Sequence, residues 1–348
     1  GKDTMREIAE QFDTWRGVLE DAVLLEKDVE ITFQVREYDE IIFTGAGTSY
    51  HLATAASTAF SKMSGFSSRA IAASELVFFH HYNLKKERKY LVVFFSRSGL
   101  TTETLTALEI IKNQYRMHSI AITCDPKSKL AMAADVSFPV KNCVEKSLIM
   151  TKSFTSMLIV SLMFTAAYGE KLSYMSHLEH LPEEGQASFE LQRRAIDALL
   201  KDGAPERATF LGGGPFLGFA REAALKLDEM SLTRSQSFTP LELRHGPKAG
   251  IRQGDLIVML LSNSARGAEL QLLGELKQLG VTTLVLADQR DREFDRVADF
   301  FITTGRGISE DIRGLLYMPF LQYLGCRSAL LKGIDPDQPR NLTRVVQF

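Results

Sequence analysis

Leu91-Val92-Val93-Phe94-Phe95 runs straight into Ser96-Arg97-Ser98-Gly99-Leu100-Thr101-Thr102, after which apolar residues recur at helical spacing (Leu105, Leu108, Ile111). Five consecutive apolar residues read as a strand buried on both faces, the kind parallel sheets use. The same succession returns later in the chain. Asp255 to Leu261 leads into Ser262-Asn263-Ser264 and a helix. Ile41 to Thr44 leads into Gly45-Ala46-Gly47, and Ala208 to Leu211 leads into Gly212-Gly213-Gly214. Ile120 to Thr123 precedes Asp125, as Thr282 to Leu286 precedes Asp288. The offset between matched landmarks is nearly constant at about 165 residues, the mark of two copies of one α/β unit. Strands alternating with helices at this interval dictate a doubly wound, largely parallel sheet in each copy, with flavodoxin-like winding.

Further strands are expected at Arg69–Ala73 and Val136–Val140, and helices at Tyr50–Met63, Phe154–Tyr168 and Ala220–Met230. Ile8, Phe12, Trp15, Val18, Leu19, Val23 and Leu24 give residues 5–34 a helical period. The expected organisation is therefore N-terminal helices over 1–35, a first domain over 36–170, linker helices over 171–200, a second domain over 201–338 and a tail over 339–348. Gly1 to Thr4 reads as an expression remnant, and the charged amphipathic segment after Met5 is no signal peptide.

A formal net charge of -2 on 348 residues gives no long-range attraction to nucleic acid or to a membrane surface. Apolar runs such as Leu158–Phe164 are too short to span a bilayer. Cys124, Cys143 and Cys326 are odd in number and far apart, so reduced thiols of a cytoplasmic protein are expected. The adjacent His80 and His81 point different ways in any regular element, and no metal or organic cofactor is expected.

Two readings fit the turn at Ser96–Thr101. It can be an ordinary N-cap and hydroxyl-rich turn. It can also aim the free N–H groups and positive end of the following helix, together with the hydroxyls of Ser96, Ser98, Thr101 and Thr102, at a phosphate monoester. Leu100 stands where a triphosphate-binding loop needs its lysine motif, and the Gly45-Ala46-Gly47 turn lacks the acidic partner and third glycine of a dinucleotide site. In the second copy Ala265-Arg266-Gly267 replaces Gly99-Leu100-Thr101, so one phosphate site per chain is expected. On the helix after Gly214, Glu222, Lys226 and Glu229 fall on one face, which suits either a solvated face with an ion pair or a ligand site at the carboxyl end of a sheet. His245 lies in the loop Arg244-His245-Gly246-Pro247-Lys248.

Taken together, Gly45-Ala46-Gly47-Thr48-Ser49, Ser96-Arg97-Ser98-Gly99-Leu100-Thr101, Met150-Thr151-Lys152-Ser153-Phe154-Thr155, Ala224-Leu225-Lys226-Leu227-Asp228-Glu229, Arg244-His245-Gly246-Pro247 and Gly333–Leu342 resemble, in order, the sugar isomerase (SIS) domain family in its tandem form. That form includes the isomerase half of glucosamine-6-phosphate synthase and stand-alone aminosugar-phosphate deaminases and isomerases. The resemblance implies that Thr48, Ser49, Ser96, Ser98 and Thr101 hold a sugar 6-phosphate. Gly47, Lys152 and Arg344 would also contact substrate. It implies that Glu229 moves a proton between C1 and C2, with Lys226 tuning its charge, and that His245 opens the sugar ring from the neighbouring subunit of a homodimer.

Arg97 stands where the synthase has glutamine, so its contact with phosphate is expected to be altered. These 348 residues hold no cysteine-led glutaminase domain ahead of the repeats, and glutamine is therefore expected not to be the ammonia source. Arg344 replaces the tail lysine that forms an imine with ketose, a step closed to a guanidinium. The expected activity is deamination and isomerisation of a hexosamine-6-phosphate to ketose-6-phosphate and ammonia. The alternatives are aldose/ketose-6-phosphate isomerisation of the tagatose-6-phosphate type, deglycation of Amadori phosphates, and a sensor without turnover.

Overall fold

The computed structural model describes residues 1–20, 38–169, 172–290 and 292–344. The first sheet contains β1 (Glu40–Gly45), β2 (Ser68–Ala72), β3 (Tyr90–Phe95), β4 (His118–Thr123) and β5 (Val136–Pro139), all parallel, in the order β2-β1-β3-β4-β5. The second contains β6 (Arg207–Gly212), β7 (Arg234–Phe238), β8 (Leu256–Leu260), β9 (Thr282–Ala287) and β10 (Phe300–Thr303). Read from the β7 edge, its order is β7-β6-β8-β9-β10, which repeats the winding of the first. This is the flavodoxin-like order, and the two-copy reading holds.

β7 and β10 are strands beyond those expected, and both lie at sheet edges. β10 carries the short apolar run Phe300-Phe301-Ile302, whereas at the β7 edge one neighbour suffices and no apolar run is needed. β7 is Arg-Ser-Gln-Ser-Phe with no buried residue. The N-terminal helix runs over Lys2–Glu20; Val23 and Leu24 lie outside the described residues.

Each sheet belongs to its own compact unit. Gly1–Phe12 and the segment Lys146–Thr151 pack with the second sheet rather than the first. In the first unit the helix Lys152–Tyr168 is buried almost all round, which is why it shows no amphipathic period. Phe60 packs between Phe43 and Phe164 there, and the Trp15 indole N–H donates to Thr155 Oγ1 at 2.9 Å. In the second unit the helix Leu217–Ser231 lies close against Glu310–Leu331. Gly314 permits that approach: a Cβ there would sit 2.2 Å from the Phe219 ring.

The copies also share a polar clip that joins the last two strands. Ser119 donates to Asp135 Oδ2 from N–H (2.8 Å) and Oγ (2.6 Å), and the Asp135 N–H returns to Ser119 Oγ at 3.1 Å. Thr283 and Asp299 repeat this at 2.8, 3.0 and 3.0 Å. Lys112 and Lys277 each donate to the other carboxylate oxygen of their clip.

Candidate functional site

In a sheet wound 2-1-3-4-5, the crevice opens where chain direction reverses, between the first and third strands at their carboxyl ends. In the first unit the two turns at that point are Gly45–Thr48 after β1 and Ser96–Thr101 after β3, whose strands are direct neighbours. Gly47 takes φ +56° and the helix Thr48–Ser64 starts immediately, two residues earlier than the sequence pattern indicates. Thr48 and Ser49 thus occupy the first helical turn and are buried.

In the Ser96–Thr101 turn, Ser96 Oγ accepts the Gly99 N–H at 3.1 Å and lies 3.3 Å from Thr101 Oγ1. Ser98 Oγ accepts the Leu100 N–H at 3.2 Å. A hydroxyl that accepts keeps its own proton to donate. Thr101 precedes the helix Thr102–Ile110 but makes no side-chain capping bond. The hydroxyl turn is therefore present without the N-cap, and the helix start keeps the donor capacity an anion needs.

Arg97 has a carboxylate partner within its own unit. Its guanidinium pairs with the fully buried carboxylate of Glu145 at 2.8 Å, and Glu145 also accepts from Ser153 N–H (2.9 Å) and Ser153 Oγ (2.7 Å). Burial alone would raise the Glu145 pKa, but the Arg97 charge and the Ser153 bonds outweigh it and lower the value. The Glu145 carbonyl accepts from Arg344, while the buried Lys152 opens the helix that Ser153 continues.

The second unit satisfies its equivalent turn internally. Ser262 N–H donates to the Glu269 carboxylate at 2.7 Å, Asn263 N–H to Glu310 at 2.9 Å and Ala265 N–H to Ser262 Oγ at 3.0 Å. Glu269 is buried, and burial raises its pKa despite the bond from Ser262. Two carboxylates thus take up the backbone N–H groups of this turn.

On the helix Leu217–Ser231 the solvated-face reading fails. Glu222 is 0% and Lys226 1% exposed. Lys226 Nζ lies 3.4 Å from Glu222 Oε1 and hydrogen-bonds Glu229 Oε2. Burial works against this ammonium, but the two carboxylates prevail and raise its pKa. The Glu229 side chain keeps 20% exposure, so one carboxylate of the trio reaches solvent. A carboxylate held beside a buried cation and open on one side can accept and return a proton.

His245 ends the short turn Pro240–Arg244, is exposed and has no described side-chain bond to Glu229 or Lys226. Among the described residues no cluster of three or more His, Cys, Asp or Glu has metal-binding geometry, and no helix is long and apolar enough to cross a membrane. The cysteines are free thiols; Cys143 and Cys326 are buried and Cys124 half-buried.

The model of the SIS domain family matches residues 34–167. A solved glucosamine-6-phosphate deaminase from Thermotoga maritima is 30% identical, with 99% of each chain covered and a TM-score of 0.80. The chain belongs to the SIS domain family. The tagatose-6-phosphate ketose/aldose isomerase of Escherichia coli shares the fold at 22% identity and TM-score 0.89, covering 98% of this chain and 96% of that one. Glutamine–fructose-6-phosphate aminotransferase of Vibrio parahaemolyticus is 31% identical over 88% of this chain and 52% of its own length. The chain spans about half the length of the curated relatives it matches.

Within the SIS fold the structure brings Ser96, Ser98 and Thr101 onto one turn, Gly47, Thr48 and Ser49 onto its neighbour, and Lys226 and Glu229 into one bonded pair. It leaves His245 on a separate loop and commits Arg97 to Glu145. Glu145 escapes sequence reading because its partner Arg97 is 48 residues away and nothing local marks the pair.

Proposed function

We propose that this SIS protein is a phosphosugar isomerase that acts as a deaminase on a hexosamine-6-phosphate, giving ketose-6-phosphate and ammonia. The observation that carries the reading is the Glu222–Lys226–Glu229 cluster: two carboxylates on one buried ammonium, with only Glu229 open to solvent. A structural ion pair needs no second, half-open carboxylate. A proton shuttle does.

On this reading the hydroxyls and helix start at Ser96–Thr101, with Thr48 and Ser49, bind the phosphate and fix the sugar's far end. His245 passes a proton between the anomeric hydroxyl and the ring oxygen, which opens the ring. Glu229 removes the C2 proton of the open aldehyde while O1 takes a proton from water, which gives an enolamine; Glu229 then delivers its proton to C1 and the nitrogen returns one to water. The resulting C2 imine takes up water and releases ammonia, leaving the C2 ketone, so atoms and charge balance. Lys226 hydrogen-bonds Glu229 and so holds its carboxylate in place between turnovers. The working unit on this reading is a homodimer in which a second copy supplies His245.

The likeness to the Thermotoga deaminase supports the choice of nitrogen over oxygen at C2. Ammonia and ketose released from a panel of hexosamine- and hexose-6-phosphates, measured together, test it. Stoichiometric ammonia from one hexosamine-6-phosphate, abolished by Glu229→Gln, is expected. Ketose without ammonia from hexose-6-phosphates alone would replace deamination with plain isomerisation, and binding without turnover throughout would reduce the chain to a sensor.

A further inference from the structure

We infer that Glu275 is a positioning residue for His245, tying together the two flanks of the loop that carries the imidazole. The inference rests on the role proposed above for His245 and adds a residue that this role does not by itself require.

Both carboxylate oxygens of Glu275 are engaged. Oε1 accepts from Arg244 Nη2 at 2.8 Å, and Oε2 accepts from Lys248 Nζ at 2.8 Å. Arg244 immediately precedes His245 and Lys248 follows it by three residues, so one side chain from the helix Arg266–Lys277 closes the loop across the histidine. The same helix grips the loop from below: Leu243 is buried in a cluster with Leu272, Leu273 and Leu276. Between these anchors the backbone has little freedom. His245 N–H donates to Glu242 carbonyl at 3.0 Å, Gly246 sits at φ +124°, and Pro247 starts the next turn. The imidazole is exposed and the bonds described on this loop belong to its neighbours, so its aim is set by the loop rather than by a bond of its own.

Arg244, Lys248 and Glu275 are each about one-third exposed or less (28%, 31% and 32%), and pairs of this kind add little to global stability. What a single carboxylate bridging two flanks does control is geometry, and ring opening needs the imidazole within hydrogen-bond reach of two oxygens at once. The hydrogen bond from Lys248 holds the Glu275 carboxyl below the usual carboxylate range, helped by Arg244, so the bridge stays charged at neutral pH.

The test compares two substrates: the hexosamine-6-phosphate that is turned over, and its 4,5-dideoxy analogue, which cannot close a five- or six-membered ring. Glu275→Ala is expected to lower kcat on the cyclic sugar by about 10- to 100-fold, with KM and the open-chain rate changed by less than about threefold. Glu275→Gln, which keeps an acceptor, is expected to recover part of the loss. Equal losses on both sugars, or none on the cyclic one, would overturn the inference. His245→Asn separates this from the underlying reading: a loss on both sugars alike removes His245 from ring opening, whereas a loss confined to the cyclic sugar keeps it there while Glu275 stands or falls on its own variant. Should Glu275→Ala misfold, Lys248→Met cuts one arm of the bridge and must show the same selective loss. A readout without turnover is the His245 ring signal in NMR, expected as one resonance in the parent protein and as several in Glu275→Ala; a single unshifted resonance in both counts against the inference.

Discussion

Glu145 meets Arg97 at 2.8 Å inside the turn region of the first sheet, with its carboxylate completely buried and the Arg97 side chain 12% exposed. Removing one member of such a pair leaves the other charge in a poor solvent, which costs roughly 3–5 kcal/mol. Glu145→Ala is expected to lower the urea midpoint accordingly, and Arg97→Gln combined with Glu145→Gln to restore part of it. The pH dependence has a definite sign. The folded-state pKa of Glu145 is lowered, so its stabilising contribution is complete above the unfolded value of about 4.3 and is lost as pH falls through the folded value. Urea melts of Glu145→Gln should show a shallower acid limb than those of the parent protein.

Gly99 and Ala265 stand at matching places in the two copies, and the structure explains why only one of them carries a Cβ. Gly99 takes φ +60°, and a Cβ there would lie 2.1 Å from Ser128 Oγ and 2.4 Å from Ser128 Cβ. Ala265 takes φ -113°. Gly99→Ala is therefore expected to open the Ser96–Thr101 turn at a cost of about 1–3 kcal/mol. Calorimetric titration should show phosphate-ester affinity falling by at least about tenfold, with the second sheet's turn untouched. Unchanged affinity would place the phosphate elsewhere.

Runs such as Leu91–Phe95 and Leu256–Leu260 were legible because a strand buried on both faces must be apolar at every position. The duplication was legible because turn residues obey backbone geometry, and Gly-x-Gly and Ser-x-Ser turns keep their spacing in both copies. β7 was not legible, since a half-exposed edge strand can be Arg-Ser-Gln-Ser-Phe. Burial of Glu222 and Lys226 was also hidden: helical spacing places them on one face but does not say what covers it, and here it is the unit's interior. Glu145 and Glu275 owe their roles to partners 48 and 31 residues distant, a relation fixed by topology and not by any local motif.

Lys226 gives an alkaline counterpart to Glu145. Its folded-state pKa is raised, with the Glu222 and Glu229 carboxylates overcoming burial, so its contribution is complete below the unfolded value of about 10.4 and disappears as pH rises through the folded value. Lys226→Met removes the ammonium that faces two carboxylates, one of them 0% exposed. The variant is expected to lose about 3–5 kcal/mol near pH 7 and to show a flatter stability curve above about pH 10.4 than the parent. Equal alkaline slopes would mean that the pair is not what titrates. Turnover should fall with Lys226→Met even at temperatures where circular dichroism reports a native fold.

Glu269 provides the opposite sign within the acid range. Burial raises its folded-state pKa, so the neutral carboxyl is the form the fold favours; its relative contribution is complete below about pH 4.3 and is lost as pH rises through the raised value. Glu269→Gln keeps an oxygen that can accept the Ser262 N–H while it removes a buried charge. The variant should be more stable than the parent at pH 7, within the roughly 0.5–2 kcal/mol that such changes reach, and should converge with it below about pH 4. Because the introduced amide leaves the turn satisfied and Glu310 still holds Asn263 N–H, phosphate-ester titrations should continue to give one site per chain. A second binding event in the variant would mean that the carboxylate's charge, rather than its hydrogen bond, keeps phosphate out of the second copy. A variant less stable than the parent at every pH would show instead that Glu269 is ionised and paired where it lies.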